Sequence, residues 1–255
     1  MQYNIPKKIY QTWETKNLSE YFLKNIEKWK IMNPNYEYVL YDSNERRNMV
    51  SNFGERYLKV YDRILAGALK CDMWRYIILY LYGGFATDLD LIPINPIDNF
   101  LNNNFLVCAS ILNIESQNFY LLTGFIGIVP NHPIMLWCIE RICDIVENNK
   151  PYLEYCDFTG PGCFGRAVNS YLKRKETDSY VTFKREYSGD DILFLNFNAQ
   201  DFSNFNVEKY PEYICDDNGK ILAQNKNGNL EMMFEYCKEC EKNNVKSWLV
   251  SKQYT

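Results

Sequence analysis

The stretch from Asp72 to Leu91 constrains the fold of this chain more than any other. A helical run with the apolar core Ile77 to Tyr82 stops at Gly83-Gly84, and a short segment then delivers Asp88-Leu89-Asp90. One glycine is enough to supply a left-handed helix cap. The second serves either a tight turn into the next strand or the close approach of a ligand. If the following residues are extended, side chains alternate faces, so Asp88 and Asp90 project together while Leu89 points to the core. Two hard oxygen ligands on one face suit a divalent cation that keeps positions open for phosphate oxygens.

The surrounding pattern alternates strands and helices, which predicts an α/β sheet with crossover helices over the first 175 residues. Lys7 to Gln11 and Tyr36 to Tyr41 read as strands. Between them Ser19 is a candidate N-cap, with Phe22, Ile26 and Trp29 at helical spacing. Helices are predicted over 44–53, 63–82, 133–148 and 164–173, with Pro133 as the first residue of the third. Strands are predicted around Thr87 and over 105–110, 125–129, 181–183, 192–195 and 221–223. Asp216 to Lys220 reads as a hairpin tip, and residues 231–243 as helical. No repeat or linker divides the 255 residues, so one domain is expected: a core of about 1–175 and an extension of about 176–255.

A net charge of −4 argues against electrostatic capture of nucleic acid or anionic membrane. The basic pairs Lys7-Lys8 and Arg46-Arg47 read as solvated surface. Twenty-one tyrosines are partly core, and some can line a sugar-binding groove. The amino terminus lacks the apolar core of a signal peptide, and no run is long enough to span a bilayer. Nine cysteines without a regular framework point to a reduced, cytoplasmic protein. Cys237 and Cys240 form a lone CxxC, better explained as two helix cysteines than as a zinc site. The single histidine, His132, precedes a helix and reads as a cap or surface residue.

Asp72 and Arg75 are three residues apart and share a helix face. Alone they form an intrahelical ion pair worth a few tenths of a kcal/mol. At a junction that also presents Asp88 and Asp90, they can instead hold the hydroxyls of a bound sugar. The stretch KCDMWRYIILYLYGGFATDLDLIP resembles the core motif of glycosyltransferase family 32, the DxD-containing sugar transferases. IPKKIYQTW and NPNYEYVLYD are similar to that family's first two strands, and GFIGIVPNHP and Thr159-Gly160-Pro161 to later segments. The likeness covers residues 5 to 175 and is most specific over 72 to 90.

This resemblance implies a GT-A type, Rossmann-like sheet flanked by helices, a nucleotide-sugar donor (UDP- or GDP-linked) and manganese or magnesium. It implies retaining transfer of a hexose to a hydroxyl of a glycan or protein. Asp88 and Asp90 become metal-binding, and Asp72, Arg75, Asp88 and Asp90 catalytic. Gln11, Thr12, Trp13, Asp72, Arg75, Tyr76, Gly83, Gly84 and Asp88 become donor-binding, with Trp13 against the nucleobase. Ala86 stands where the family places a tyrosine, which predicts a roomier donor pocket, and Thr123 where it often has asparagine. The family's histidine before Ser247-Trp248 is absent, leaving Asn243 or Asn244 as a substitute metal ligand. Two rival classes share the carboxylates. A phosphatase using the first Asp as nucleophile fits GGFAT and Ile92 poorly. A glycosidase needs carboxyl groups about 5 to 9.5 Å apart across the scissile bond, which neighbours in one motif rarely provide. A degenerate, non-catalytic sugar binder is the third alternative.

Overall fold

The computed structural model describes residues 5–101, 107–112, 119–183, 187, 189, 191–198 and 212–225. Its amino-terminal half is built on three parallel strands, β1 (Lys8–Thr12), β2 (Glu37–Tyr41) and β3 (Gly84–Thr87), with β1 in the middle. Helix α1 (Glu20–Met32) connects β1 to β2 and buries Phe22, Ile26 and Trp29, as their spacing predicts. Between β2 and β3 run α2 (Ser43–Phe53), α3 (Glu55–Arg63) and α4 (Gly67–Tyr82). Asp42 caps α2 reciprocally: its carboxylate accepts from Glu45 N at 2.9 Å, and the Glu45 carboxylate accepts from Asp42 N at 2.9 Å.

The helix predicted over 63–82 is α4, which starts four residues later at Gly67, and Arg63 instead ends a separate helix, α3, that was not predicted. Helix α3 is strongly amphipathic, with Val60 and Tyr61 buried, Tyr57 and Leu58 against the core and its charged residues outward, and it fills the gap between the helices predicted over 44–53 and 63–82.

The remaining elements are β4 (Ile92–Pro93), β5 (Val107–Leu112), β6 (Leu121–Ile128), α5 (Pro133–Asn148), α6 (Tyr155–Phe158), α7 (Pro161–Tyr171), α8 (Tyr180–Phe183), β7 (Ile192–Asn198), β8 (Glu212–Cys215) and β9 (Ile221–Asn225). Residues 181–183, predicted as a strand, are helical in α8. Tyr180 is fully buried and its hydroxyl donates to Gly165 O at 2.7 Å, an anchor that outweighs the local β preference of Val181 and Thr182. β8 and β9 form the expected hairpin around Asp216, whose Oδ1 accepts from Asn218 N and Lys220 N, both at 2.9 Å.

All strands join one sheet in the order β2-β1-β3-β6-β5-β7-β8-β9-β4. Strands β3 and β4 are consecutive in the chain yet six positions apart in that order. Flat, six spacings would span about 29 Å. The link from Thr87 to Ile92 reaches at most about 18 Å. The sheet must therefore curl until its far edge returns to the Asp88–Leu91 link.

Both faces are buried. Neighbouring residues alternate between two apolar clusters: Ile9, Phe85, Phe125 and Cys108 in one, Tyr10, Ala86, Ile126 and Val107 in the other. Helices α2, α3, α4, α5 and α7 cover the second face, and Trp29 of α1 packs on the first.

Candidate active site

In a doubly wound sheet, ligands bind outside the carboxyl ends of parallel strands, where the chain reverses its direction across the sheet. With β1 between β2 and β3, that place lies between β1 and β3. The residues that follow those strands are Trp13-Glu14 and Asp88–Leu91.

Strand β3 ends at Thr87, and the Asp pair lies in a turn, with Leu91 N donating to Asp88 O at 3.3 Å. The face alternation expected of an extended segment therefore does not arrange Asp88 and Asp90. Leu89 does point inward, 3% exposed against Phe22 and Ile26. The turn is shaped by distant side chains. Gln11 Nε2 donates to Asp88 O at 2.9 Å, Asn25 Nδ2 to Leu89 O at 3.2 Å, and Trp29 Nε1 to Leu91 O at 2.9 Å. Asp88 N donates to Gly124 O at 2.9 Å. Asp88 keeps 43% of its side chain exposed, whereas Asp90 is buried.

Arg75 ties the helix to this turn. Its Nη2 donates to Asp88 Oδ1, and its Nη1 donates to Thr123 O at 2.5 Å and Asp72 Oδ1 at 3.3 Å. Asp72 Oδ2 accepts from Thr159 Oγ1 at 3.0 Å, and Thr123 adds a side-chain hydrogen bond to the same carboxyl. Asp72 and Arg75 thus form more than an isolated intrahelical pair. The Nε of Arg75 is buried without a hydrogen-bond partner. A buried donor left in that state fits a site completed by a polar ligand.

Burial pushes the Asp72 pKa up to about 7, against the opposing pull of Arg75 and Thr159. Its folded pKa lies above the ordinary aspartate value of about 4, so folding takes up a proton between the two. The stability this group contributes is complete below about pH 4 and lost as pH rises through about 7, on the order of 4 kcal/mol. Urea melts of Asp72→Asn should lack that fall between pH 4 and 7.

Gly124 of β6 faces the same carboxylate: a Cβ there would lie 2.7 Å from Asp88 Oδ2. Arg75 holds the other oxygen, so the carboxylate cannot swing away without losing its partner. Gly124→Ala is expected to lower kcat/KM for the donor about 10-fold or more, because small misplacements of reacting groups are costly. Its thermal melt should fall in step with that of Asp88→Asn, because both weaken the bond from Arg75.

Other sequence-predicted residues serve the scaffold. Gln11, expected to bind the donor, is fully buried, with Tyr38 OH donating to its Oε1 at 2.5 Å and its amide committed to Asp88 O. The Thr12 hydroxyl is committed to Tyr41 O at 2.8 Å and to Arg46 at 2.6 Å. Tyr76 is fully buried and donates to Thr159 O at 2.6 Å, so it holds the residue that binds Asp72. Gly83, at φ 61°, and Gly84, at φ 100°, are required by the chain itself. A Cβ at Gly83 would meet Pro130 at 2.7 Å, and one at Gly84 would meet Lys8 O at 2.9 Å. Ala86 is buried in the core, so its small side chain does not enlarge a donor pocket. Trp13 is half-buried, its ring 4.9 Å from that of Phe22. His132 is a buried N-cap whose Nδ1 accepts from Ile134 N at 3.3 Å, and burial lowers its pKa to about 4. Asn243, Asn244, the CxxC and the helix over 231–243 lie outside the described residues.

Sequence reasoning assigned no site role to Thr159, Asn25 or Trp29, which hold Asp72 and the turn, and it placed Arg46 at the surface. Arg46 is buried, and only Arg47 of that pair is exposed. The polar residues Asn25 and Arg46 on otherwise patterned helices were the available signal.

Carboxylates are the ligands a hard divalent cation takes, one or two of them together with substrate phosphates, and Asp88 and Asp90 are the two this turn offers. No group of three or more metal-binding side chains occurs among the described residues. No helix among them is long and apolar enough to cross a membrane.

Residues 19–106 match the family model described as glycosyltransferase sugar-binding region containing DXD motif. The chain is 25% identical over 229 residues to the initiation-specific alpha-1,6-mannosyltransferase of Schizosaccharomyces pombe, covering 77% of this chain and 57% of that protein. It is 30% identical over 158 residues to inositol phosphoceramide mannosyltransferase 3 of the same organism, covering 62% of this chain and 43% of that one. The chain spans about half the length of these curated relatives. Among solved structures, the PaToxG glycosyltransferase superposes with a TM-score of 0.52 at 19% identity, over 66% of this chain and 70% of that one. Residues 19–106 thus carry a DXD-type glycosyltransferase sugar-binding region, the matched relatives are named mannosyltransferases, and the fold is that of a glycosyltransferase domain, so the chain resembles the DXD-containing glycosyltransferases.

Proposed function

We propose that this chain transfers a hexose, mannose first among candidates, from a nucleoside-diphosphate sugar to a hydroxyl of a glycan or glycolipid, with retention at the sugar carbon. The observation that carries this reading is the Arg75 fork, which joins Asp72 of α4 to Asp88 of the turn at the sheet's switch point. Mannose is favoured because the two relatives above are named mannosyltransferases.

Asp72 and Arg75 hold complementary sides of the sugar, the carboxylate accepting from hydroxyls and the buried Nε donating. Trp13 lies against the base at the end of β1. Asp88 and Asp90 would hold a manganese or magnesium ion, which would supply charge stabilisation for the departing diphosphate. The acceptor proton passes to the diphosphate oxygen leaving the same face, a route that needs no base from the chain, whose one histidine is buried as a helix cap.

The test is release of nucleoside diphosphate from GDP-mannose, UDP-glucose and UDP-galactose with manganese, using simple mannosides and water as acceptors. Manganese-dependent release from one donor supports the reading. Hydrolysis of a generic phosphate ester with no response to any donor contradicts it.

A further inference from the structure

Two guanidinium groups are buried among the described residues, Arg75 and Arg46. Arg75 belongs to the site above, whereas Arg46 has no role in it. Arg46 rises from α2 and directs most of its donors to the last residue of β1 and the two residues that follow it. Nη1 donates to Thr12 Oγ1 at 2.6 Å and to Trp13 O at 2.9 Å, and Nη2 donates to Glu14 Oε1 at 2.6 Å. Nε reaches Tyr61 OH at 3.5 Å. Glu14 keeps only 14% of its side chain exposed, so both charges are largely withdrawn from water.

An arrangement of this kind is expensive, and a well-packed apolar residue of similar volume is often as stabilising or more so. Joining α2 to the sheet does not require it. The helix is capped by Asp42 and Glu45 and anchored by the buried Met49 and Val50, and β1 pairs with β2 over its whole length. What the guanidinium adds is direction, confined to residues 12–14. Tyr41 and Ser43 complete the hold: Trp13 N donates to Tyr41 O at 3.1 Å, and Ser43 Oγ donates to Glu14 O at 2.9 Å. The backbone on both sides of the Trp13 ring is thereby set.

We propose that Arg46 is a positioning residue for the donor, fixing the Thr12–Glu14 segment in the shape that presents Trp13 to the nucleobase. This inference rests on the donor reading given above. It separates base recognition, which depends on Arg46 and Glu14, from sugar and diphosphate chemistry, which depends on Arg75 and Asp88.

The experiment uses the full chain with Arg46→Met, Arg46→Lys and Glu14→Gln. It measures calorimetric affinity for GDP and UDP with manganese, donor KM and kcat, and thermal melts. Arg46→Met and Glu14→Gln are expected to weaken the preferred diphosphate and raise donor KM by about 10-fold, with kcat within about two-fold. Arg46→Lys, which keeps the charge without the fork, should fall between. Parental affinity in folded Arg46→Met or Glu14→Gln overturns the proposal, as does a loss of kcat without a change in KM. Should Arg46→Met fail to fold, Glu14→Gln decides by the same criteria. If the parent protein binds neither diphosphate, the donor reading itself fails and this inference falls with it.

Discussion

Replacing Arg75 by alanine is expected to abolish donor turnover and to lower the unfolding free energy by about 3–5 kcal/mol, the usual cost of breaking a buried charge network. The side chain serves three acceptors from three elements: Asp72 of α4, the Thr123 carbonyl of β6, and Asp88 of the turn. Its removal leaves the Asp72 carboxyl buried with hydroxyl partners only, and leaves the Thr123 carbonyl without this donor. Asp88, more than a third exposed, then loses the contact that fixes its rotamer. Arg75→Lys keeps a charge, but one ammonium cannot reproduce the planar fork. It should recover part of the stability and little of the turnover. Urea melts and diphosphate release measured on the same preparations check both statements. Parental kcat in a folded Arg75→Ala would remove Arg75 from the site.

Asp90→Asn is expected to reduce kcat/KM for the donor by about 10²–10³ in the presence of manganese, the range seen when one transition-state stabilising group is lost. The substitution is nearly isosteric, so the turn held by Gln11, Asn25 and Trp29 should keep its shape. Asp88→Asn should be similar in turnover but costlier in stability, because it also weakens a charge-assisted bond from Arg75. Circular dichroism melts separate the two. Equal, small effects on turnover from both variants would place the chemistry elsewhere.

Much of the scaffold was legible because local signals agreed with the fold. Pro133 opens α5 and Asn148 ends it as its pattern predicts, and α1 starts after Ser19 with its inward face set by helical spacing, although the Ser19 side chain makes no capping hydrogen bond. The chemistry-bearing residues were legible as residue types. Their geometry was not, since the turn that carries Asp88 and Asp90 is set by Asn25 and Trp29, more than sixty residues away. Gln11, Thr12 and Tyr76 sit beside the site in sequence pattern, yet their polar atoms face inward to hold it. Arg46 looked like half of a solvated basic pair, because burial of a cation depends on partners such as Glu14 that no local pattern reveals. The sheet's return to the Asp88–Leu91 link is likewise long-range: β4 pairs with β9, whose sequence neighbours lie far along the chain.

Equilibrium titration of GDP-mannose and UDP-glucose into the parent chain and Asp90→Asn, each with manganese and with chelator, probes the proposed cation role of Asp88 and Asp90 most directly. One sugar nucleotide should bind the parent at least about ten-fold more tightly with manganese, a difference of about 1.4 kcal/mol, and Asp90→Asn should lose that gain. Binding that ignores manganese, or a gain that survives in Asp90→Asn, would contradict a metal-bridged diphosphate at this turn.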